Sequence, residues 1–324
     1  MKKRINSLLI IGGFLVALPF FLNNPYYLHL LIFTGMYGIL AMGVALLLKV
    51  RLVSLGIAGF WAAGAYTSCL CATRLGLSPW FCLLIAGVVT AIVAFVLGIV
   101  FVRTGGLGFL MLTLVVNEVI VLVLGAVELF GGWNGIDRIP RFSITLPFFG
   151  SVHFVGKVYY YYLLLFLVGV TVLTFGALYK SRIGRAWGAI GSSHDLARAT
   201  GINLFRYRLG AFVISNFFVG IAGSFYAHYQ GYIQPLSFSV FKSILILIYA
   251  VLGGIGFFAG PFVGSFIGIF VPEFLRVTRE VEPIFFGIIM LLIAVYLPQG
   301  VLGLRLPQGL TGRIKRFILP ERDG

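Results

Sequence analysis

Three kinds of residue in this chain have the chemistry for a reactive centre, and each fails on spacing. Cys69, Cys71 and Cys82 lie in or beside apolar stretches, without the paired spacing and histidine partners of a zinc site. His29, His153, His194 and His228 fall in four separate segments, so neither a metal cluster nor a nucleophile with its base follows. The stretch "GSVHFVGKV" looks like a phosphate-binding loop. However, five residues separate Gly150 from Gly156 where the loop needs four, and Lys157 precedes Val158 instead of the Ser or Thr that would hold magnesium. No catalytic residue, bound metal or cofactor is expected, and the chain does not read as an enzyme.

The remaining ionisable chemistry sits inside apolar runs. Asn117 and Glu118 occur together in "LTLVVNEVIVLVL", where a charge in hydrocarbon costs on the order of 2.5–3.5 kcal/mol on insertion scales. Glu118 is therefore expected to face other helices or a water-filled path. Two readings stay open: it lines or gates a translocation path, or it makes an interhelical hydrogen bond that fixes packing. His228 in "SFYAHYQGY" and Glu273 in "FVPEFLRV" are shallower and can reach the interface. One deep carboxylate is too few for a proton relay.

The elements that must position these groups follow from composition. The 324 residues are 60% hydrophobic and 10% charged, with a mean hydropathy of +1.07, far from the roughly 25% charged balance of soluble domains. The expected class is an all-α membrane protein, a polytopic bundle of about ten transmembrane helices forming one domain over residues 1–324. The spans fall at about 5–22, 28–48, 52–73, 80–102, 107–130, 158–179, 209–232, 241–258, 261–276 and 284–298. Gly and Ala are so dense in 52–73 that a broken or re-entrant segment competes there with a simple span. The "MKKR" start resembles a secretory signal, yet "LPFFLNNPYY" lacks an A-x-A cleavage site, so an uncleaved first helix is expected.

The net charge of +15 raises nucleic acid as a partner, and its distribution argues against it. Placing both termini in the cytoplasm puts 17 of 24 basic residues there, including those of the 180–208 loop and the basic tail 299–324. This is the positive-inside pattern of a membrane protein. On the other side, "GGWNGIDRIPRF" opens the longest outward break. Gly131, Gly132 and Gly135 license positive-φ turns there, and Trp133 suits an interface; an interfacial turn and a partner-contact surface both fit. The pairs "GIAG" at 56 and 220 and "GGLGF" with "GGIGF" at 105 and 253 have unequal separations, which argues against internal duplication.

Within the 180–208 loop, "SSHDLARATGINLFRYR" has its own architecture. Ser192 and Asp195 have the spacing of a capping box, and Gly201 stands where a C′ glycine ends a helix. The intervening helix of about eight residues is too short to hold alone in water, so it must dock. Ile190, His194, Ala197 and Gly201 recur on one face, with Arg182, Arg185, Arg198, Arg206 and Arg208 around it. A plain cytoplasmic surface loop and a groove-docking helix both satisfy this pattern.

The order "GRAWGAI", "DLARATGINLFRYRLGAFVISNFFVGIAGSFYAHYQGYIQPLSFS" and "VLGGIGFFAGPFVG" resembles the membrane permease of bacterial branched-chain amino acid ABC importers, the LivM type. Upstream, "VSLGIAGFWAAGAYT", "RTGGLGFLMLTLVVNEVI" and "FGGWNGI" continue the likeness, which covers roughly residues 50–300. The resemblance implies that Asp195, Leu196, Ala197 and Gly201, with Ser192 and Arg198 beside them, form the helix that docks on the ATPase. Asp replaces the family Glu and Leu the first Ala. Glu118 matches a frequent family acid, whereas Ile57 and Leu245 stand where relatives often carry His and Glu.

The resemblance further implies a small-molecule importer in the bacterial cytoplasmic (inner) membrane, carrying branched-chain or other hydrophobic amino acids. A second homologous permease, two cytoplasmic ATP-binding subunits and an extracytoplasmic solute-binding protein complete the assembly. Urea, amides or another small solute are alternative cargoes, and an ion-coupled secondary transporter or channel is the rival class.

Overall fold

The structure is a computed structural model that describes residues 13, 15–19, 24–146, 150–153, 156–275, 287 and 300–303. In chain order the helices are α1 (Pro25–Lys49), α2 (Ile57–Arg74), α3 (Pro79–Thr104), α4 (Gly106–Ala126), α5 (Lys157–Lys180), α6 (Arg182–Ser192), α7 (His194–Ala199), α8 (Leu204–Gln230), α9 (Val240–Gly253) and α10 (Gly260–Leu275). Strands β1 (Ser143–Leu146) and β2 (Gly150–His153) form an antiparallel hairpin between α4 and α5. The phosphate-loop lookalike thus begins as strand β2.

Local chemistry starts and stops these helices where expected. Asn24 accepts from Tyr26 N with Pro25 at the first turn, so α1 starts there, and Lys49 closes it at the end where a cation offsets the helix dipole. Six stretches are long and apolar enough to cross a membrane: α1, α3, α4, α5, α8 and the run Pro235–Gly253 that contains α9. The chain is therefore a polytopic α-helical membrane protein.

The expected count of ten is not reached among the described residues. The spans at 5–22 and 284–298 and the tail at 299–324 lie outside them, apart from residues 13, 15–19, 287 and 300–303, as do both termini. The span expected at 52–73 begins with a non-helical stretch, residues 52–56, and becomes helical only at Ile57. The span expected to run to 130 ends at Ala126, where a turn at Glu128–Phe130 takes over.

Helix α8 runs through the middle of the bundle against α1, α2 and α3. Its approach to α2 is backbone against backbone: a Cβ on Gly64 would lie 2.5 Å from Gly220 Cα. Small residues permit that distance, and without a hydrophobic driving force between lipid-embedded helices the close van der Waals contact is what holds the pair. An aromatic cluster fills the adjoining core, with Trp61 4.7 Å from Tyr226 and 4.8 Å from Phe238 between ring centroids. At the end of the bundle away from α6 and α7, residues 131–139 form a turn whose Ile136 pairs with Ile233, and Gly131, Gly132 and Gly135 all have positive φ as the sequence requires.

Candidate functional site

The stretch from 180 to 208 holds two short helices, α6 and α7, and the first turn of α8 at one end of the bundle. Ser181 caps α6, accepting from Ile183 N and Gly184 N. The apolar face of α6 turns inward: Trp187 and Ile190 are fully buried, and Trp187 Nε1 donates to Tyr207 O at 2.9 Å.

Capping of α7 is shifted by one residue from the sequence expectation. Ser192 is the last residue of α6, its Oγ donating to Gly188 O, and Ser193 is the cap that accepts from Leu196 N. Asp195 therefore sits in the first turn, where its charge favours the helix N-terminus, and does not close a capping box. Its side chain is exposed. The other end is as expected: Gly201 has φ +78, Gly201 N donates to Arg198 O and Ile202 N to Ala197 O, the paired bonds of a Schellman stop.

The face assigned to docking is also corrected. Ile190 and Ala197 are buried against the permease itself, and His194 turns the same way. Asp195, Leu196, Arg198 and Gly201 are exposed instead, with Leu196 69% accessible. The periodicity found the buried stripe correctly; only the three-dimensional position of α7 shows that this stripe is already occupied.

Two arginines latch the helix pair to the bundle, and sequence reading missed the role of both. Arg51 Nε and Nη2 donate to Gly191 O and Ser192 O at 2.9 and 2.8 Å, placing a cation on the C-terminal carbonyls of α6. Arg208, 9% exposed, donates through Nε to Val50 O and through Nη2 to His194 Nε2 at 2.6 Å. A guanidinium has only donors, so His194 accepts with Nε2 unprotonated. Burial first, then the charges of Arg208, Arg51 and Arg198, hold the His194 pKa below its ordinary value. The signal available in sequence was Arg51 alone between "LLLKV" and "LVSLG", a charge in a short connection.

From Arg51 the chain passes into the bundle beside α4. Leu55 N donates to Thr113 Oγ1, and the first amides of α2 are capped from other helices: Ala58 N by Ser243 Oγ and Gly59 N by Asn117 Oδ1. Asn117 Nδ2 donates to Phe238 O, and Ser243 Oγ donates to Asn117 Oδ1. Fully buried, Asn117 ties α2, α4 and α9 together. Its neighbour Glu118 is exposed on the outer side of α4, where no other helix of this chain covers it.

An apolar helix bundle bearing a latched helix pair at one end, with one side of α7 exposed, defines the class: a multi-pass membrane protein. The chain belongs to the family described as branched-chain amino acid transport system / permease component, which matches residues 26–294. It is 31% identical over 327 aligned residues to the high-affinity branched-chain amino acid transport system permease protein LivM of Salmonella typhimurium, covering 95% of this chain and 76% of that protein. The Escherichia coli LivM is 32% identical over 90% of this chain and 73% of its own. The guanosine ABC transporter permease protein NupQ of Bacillus subtilis is 26% identical over 54% of this chain and 58% of its own. No solved structure matches. The chain is thus a membrane-spanning permease subunit of an ABC transport system, a class that works with ATPase and binding-protein partners.

Proposed function

We propose that this chain is one of two homologous permease subunits in an importer of branched-chain or other hydrophobic amino acids. It sits in the bacterial cytoplasmic membrane as about ten spans, with both termini inside. Two cytoplasmic ATP-binding subunits hydrolyse ATP, and an extracytoplasmic binding protein delivers solute. The observation that carries this reading is α7: an exposed apolar Leu196, flanked by Asp195 and Arg198, on a helix of six residues that its own chain holds on one side only.

The mechanism follows from the latch. A helix transmits force only if its partner holds it differently in two states. Closure of the ATPases on ATP would displace α6 and α7 together, because both are fastened through Arg51 and Arg208 to the connection at 50–51. That connection continues into the 52–56 segment and the Asn117 junction, so displacement at the ATPase end reaches the middle of the bundle through contiguous hydrogen bonds. Cargo rests on the LivM likeness; the NupQ relative favours testing a nucleoside as well.

The test is Gly201→Arg. Gly201 has open space around it, so an added side chain meets no neighbour, and the positive φ strains the stop while the charge blocks the dock. Expected is loss of ATPase co-purification and uptake, with membrane insertion unchanged. Solute movement by the purified chain alone down an ion gradient in liposomes would refute the reading.

A further inference from the structure

The structure assigns a role to the outer face of α4: we infer that it seats the second permease subunit and that Glu118 lies in the water-filled path between the two. The inference rests on the permease reading above and deepens it.

Three long helices, α3, α4 and α5, turn broad faces away from the bundle, and α4 is the least buried of the six spanning stretches. Between their charged ends, the outward stripes of α3 and α5 carry no charged residue, with Val96 58% and Leu173 74% exposed as examples. Those stripes match lipid. The α4 stripe begins in the same way, with Leu107 and Met111, and then presents Glu118.

Glu118 is about 18 Å along the helix from Gly106 and about 12 Å from Ala126 at 1.5 Å per residue, well inside the hydrocarbon depth from either side. One turn away on the same helix stand Leu114, Val115, Val121 and Leu122, none able to hydrogen-bond a carboxylate with a side chain. Its neighbour Asn117 is committed inward to α2 and α9, so α4 cannot rotate to bury Glu118 without breaking that junction. An ionisable group fixed in this position needs protein or water beyond the chain. A second permease of the same fold supplies both, because two subunits meeting along α4 enclose a channel onto which Glu118 opens.

The test uses the assembled importer in its own membrane. A benzophenone amino acid is placed at Met111, Val96 or Leu173, and crosslinked products are identified. In parallel, a background with Cys69, Cys71 and Cys82 replaced by alanine carries Glu118→Cys, Val96→Cys or Leu173→Cys for labelling with a membrane-impermeant charged thiosulfonate. Expected are adducts to the second permease from Met111 only, and labelling of Glu118→Cys at least about tenfold faster than either control. Lipid adducts from Met111, or Glu118→Cys as slow as Val96→Cys, overturn the inference. The ATPase subunits are followed in the same membranes: their retention with a negative result sinks this inference alone, whereas their absence sinks the permease reading. Glu118→Gln, which keeps size and hydrogen bonding, serves as the folding control.

Discussion

Leu196→Ala isolates the docking contribution of α7 with little effect on the permease itself. Leu196 is 69% exposed and its side chain supports nothing in the bundle, while Ala is the better helix former. Stability of the isolated permease should therefore stay within about 0.5 kcal/mol. If the ATPase encloses this side chain, removing three carbons at about 0.8 kcal/mol per buried CH₂, partly offset by incomplete enclosure, costs about 1.5–2 kcal/mol of binding. That corresponds to about a 10- to 30-fold weaker Kd. The assay titrates the ATPase subunits onto the permease complex in lipid nanodiscs, with thermal unfolding of the permease as the control. A change of less than about threefold in Kd at unchanged stability would show that α7 does not bury Leu196 in its partner. Leu196→Glu should weaken binding further, since it would carry an unpaired charge into the same groove.

Other outcomes follow from the latch and the core. The His194 pKa lies below its unfolded value near 6.5, so the stabilisation contributed by the neutral ring is complete above that value and is lost as pH falls through the lower folded value. ATPase-coupled uptake in proteoliposomes should accordingly fall from about pH 7.5 to about pH 5.5, and His194→Gln should flatten that difference. Arg51→Ala frees the carbonyls of Gly191 and Ser192 and should uncouple ATP hydrolysis from uptake. Arg51→Gly should uncouple equally but insert at higher yield, because φ +58 suits glycine. Asn117→Leu strands the amide of Gly59 and the Ser243 hydroxyl, and a thermal-shift measurement should show a loss of about 2–4 kcal/mol. Gly220→Ala would place a Cβ 2.7 Å from Ala86 O and 2.5 Å from Thr90 Oγ1, and membrane fractionation should recover little folded protein.

Much of this architecture is legible in composition and in local signals. Apolar runs of about 20 residues mark spans whatever their neighbours, because lipid imposes the requirement on each segment separately. Gly201 and the glycines at 131, 132 and 135 are readable for the same local reason: each ends or turns a segment by its own φ. The Ser192 cap failed because Ser192 and Ser193 are adjacent and both qualify; which one caps depends on where α6 stops, and α6 stops where Arg51 meets its last carbonyls. The docking face failed because periodicity identifies a stripe that wants burial without saying whether the same chain buries it.

Acting alone, the amino-acid sequence determined that this is a helical membrane protein, where most of its helices start and stop, and that a short helix near residue 195 needs support. These properties depend on hydropathy, backbone conformation and spacing within single segments. Tertiary structure alone decided which side of α7 is free, that Arg51 and Arg208 fasten it, and that Asn117 is committed inward while Glu118 faces out. Each of those depends on groups far apart in the chain: Arg51 and Gly191, Asn117 and Ser243. Their meeting is set by the packing of whole helices, which no local pattern encodes.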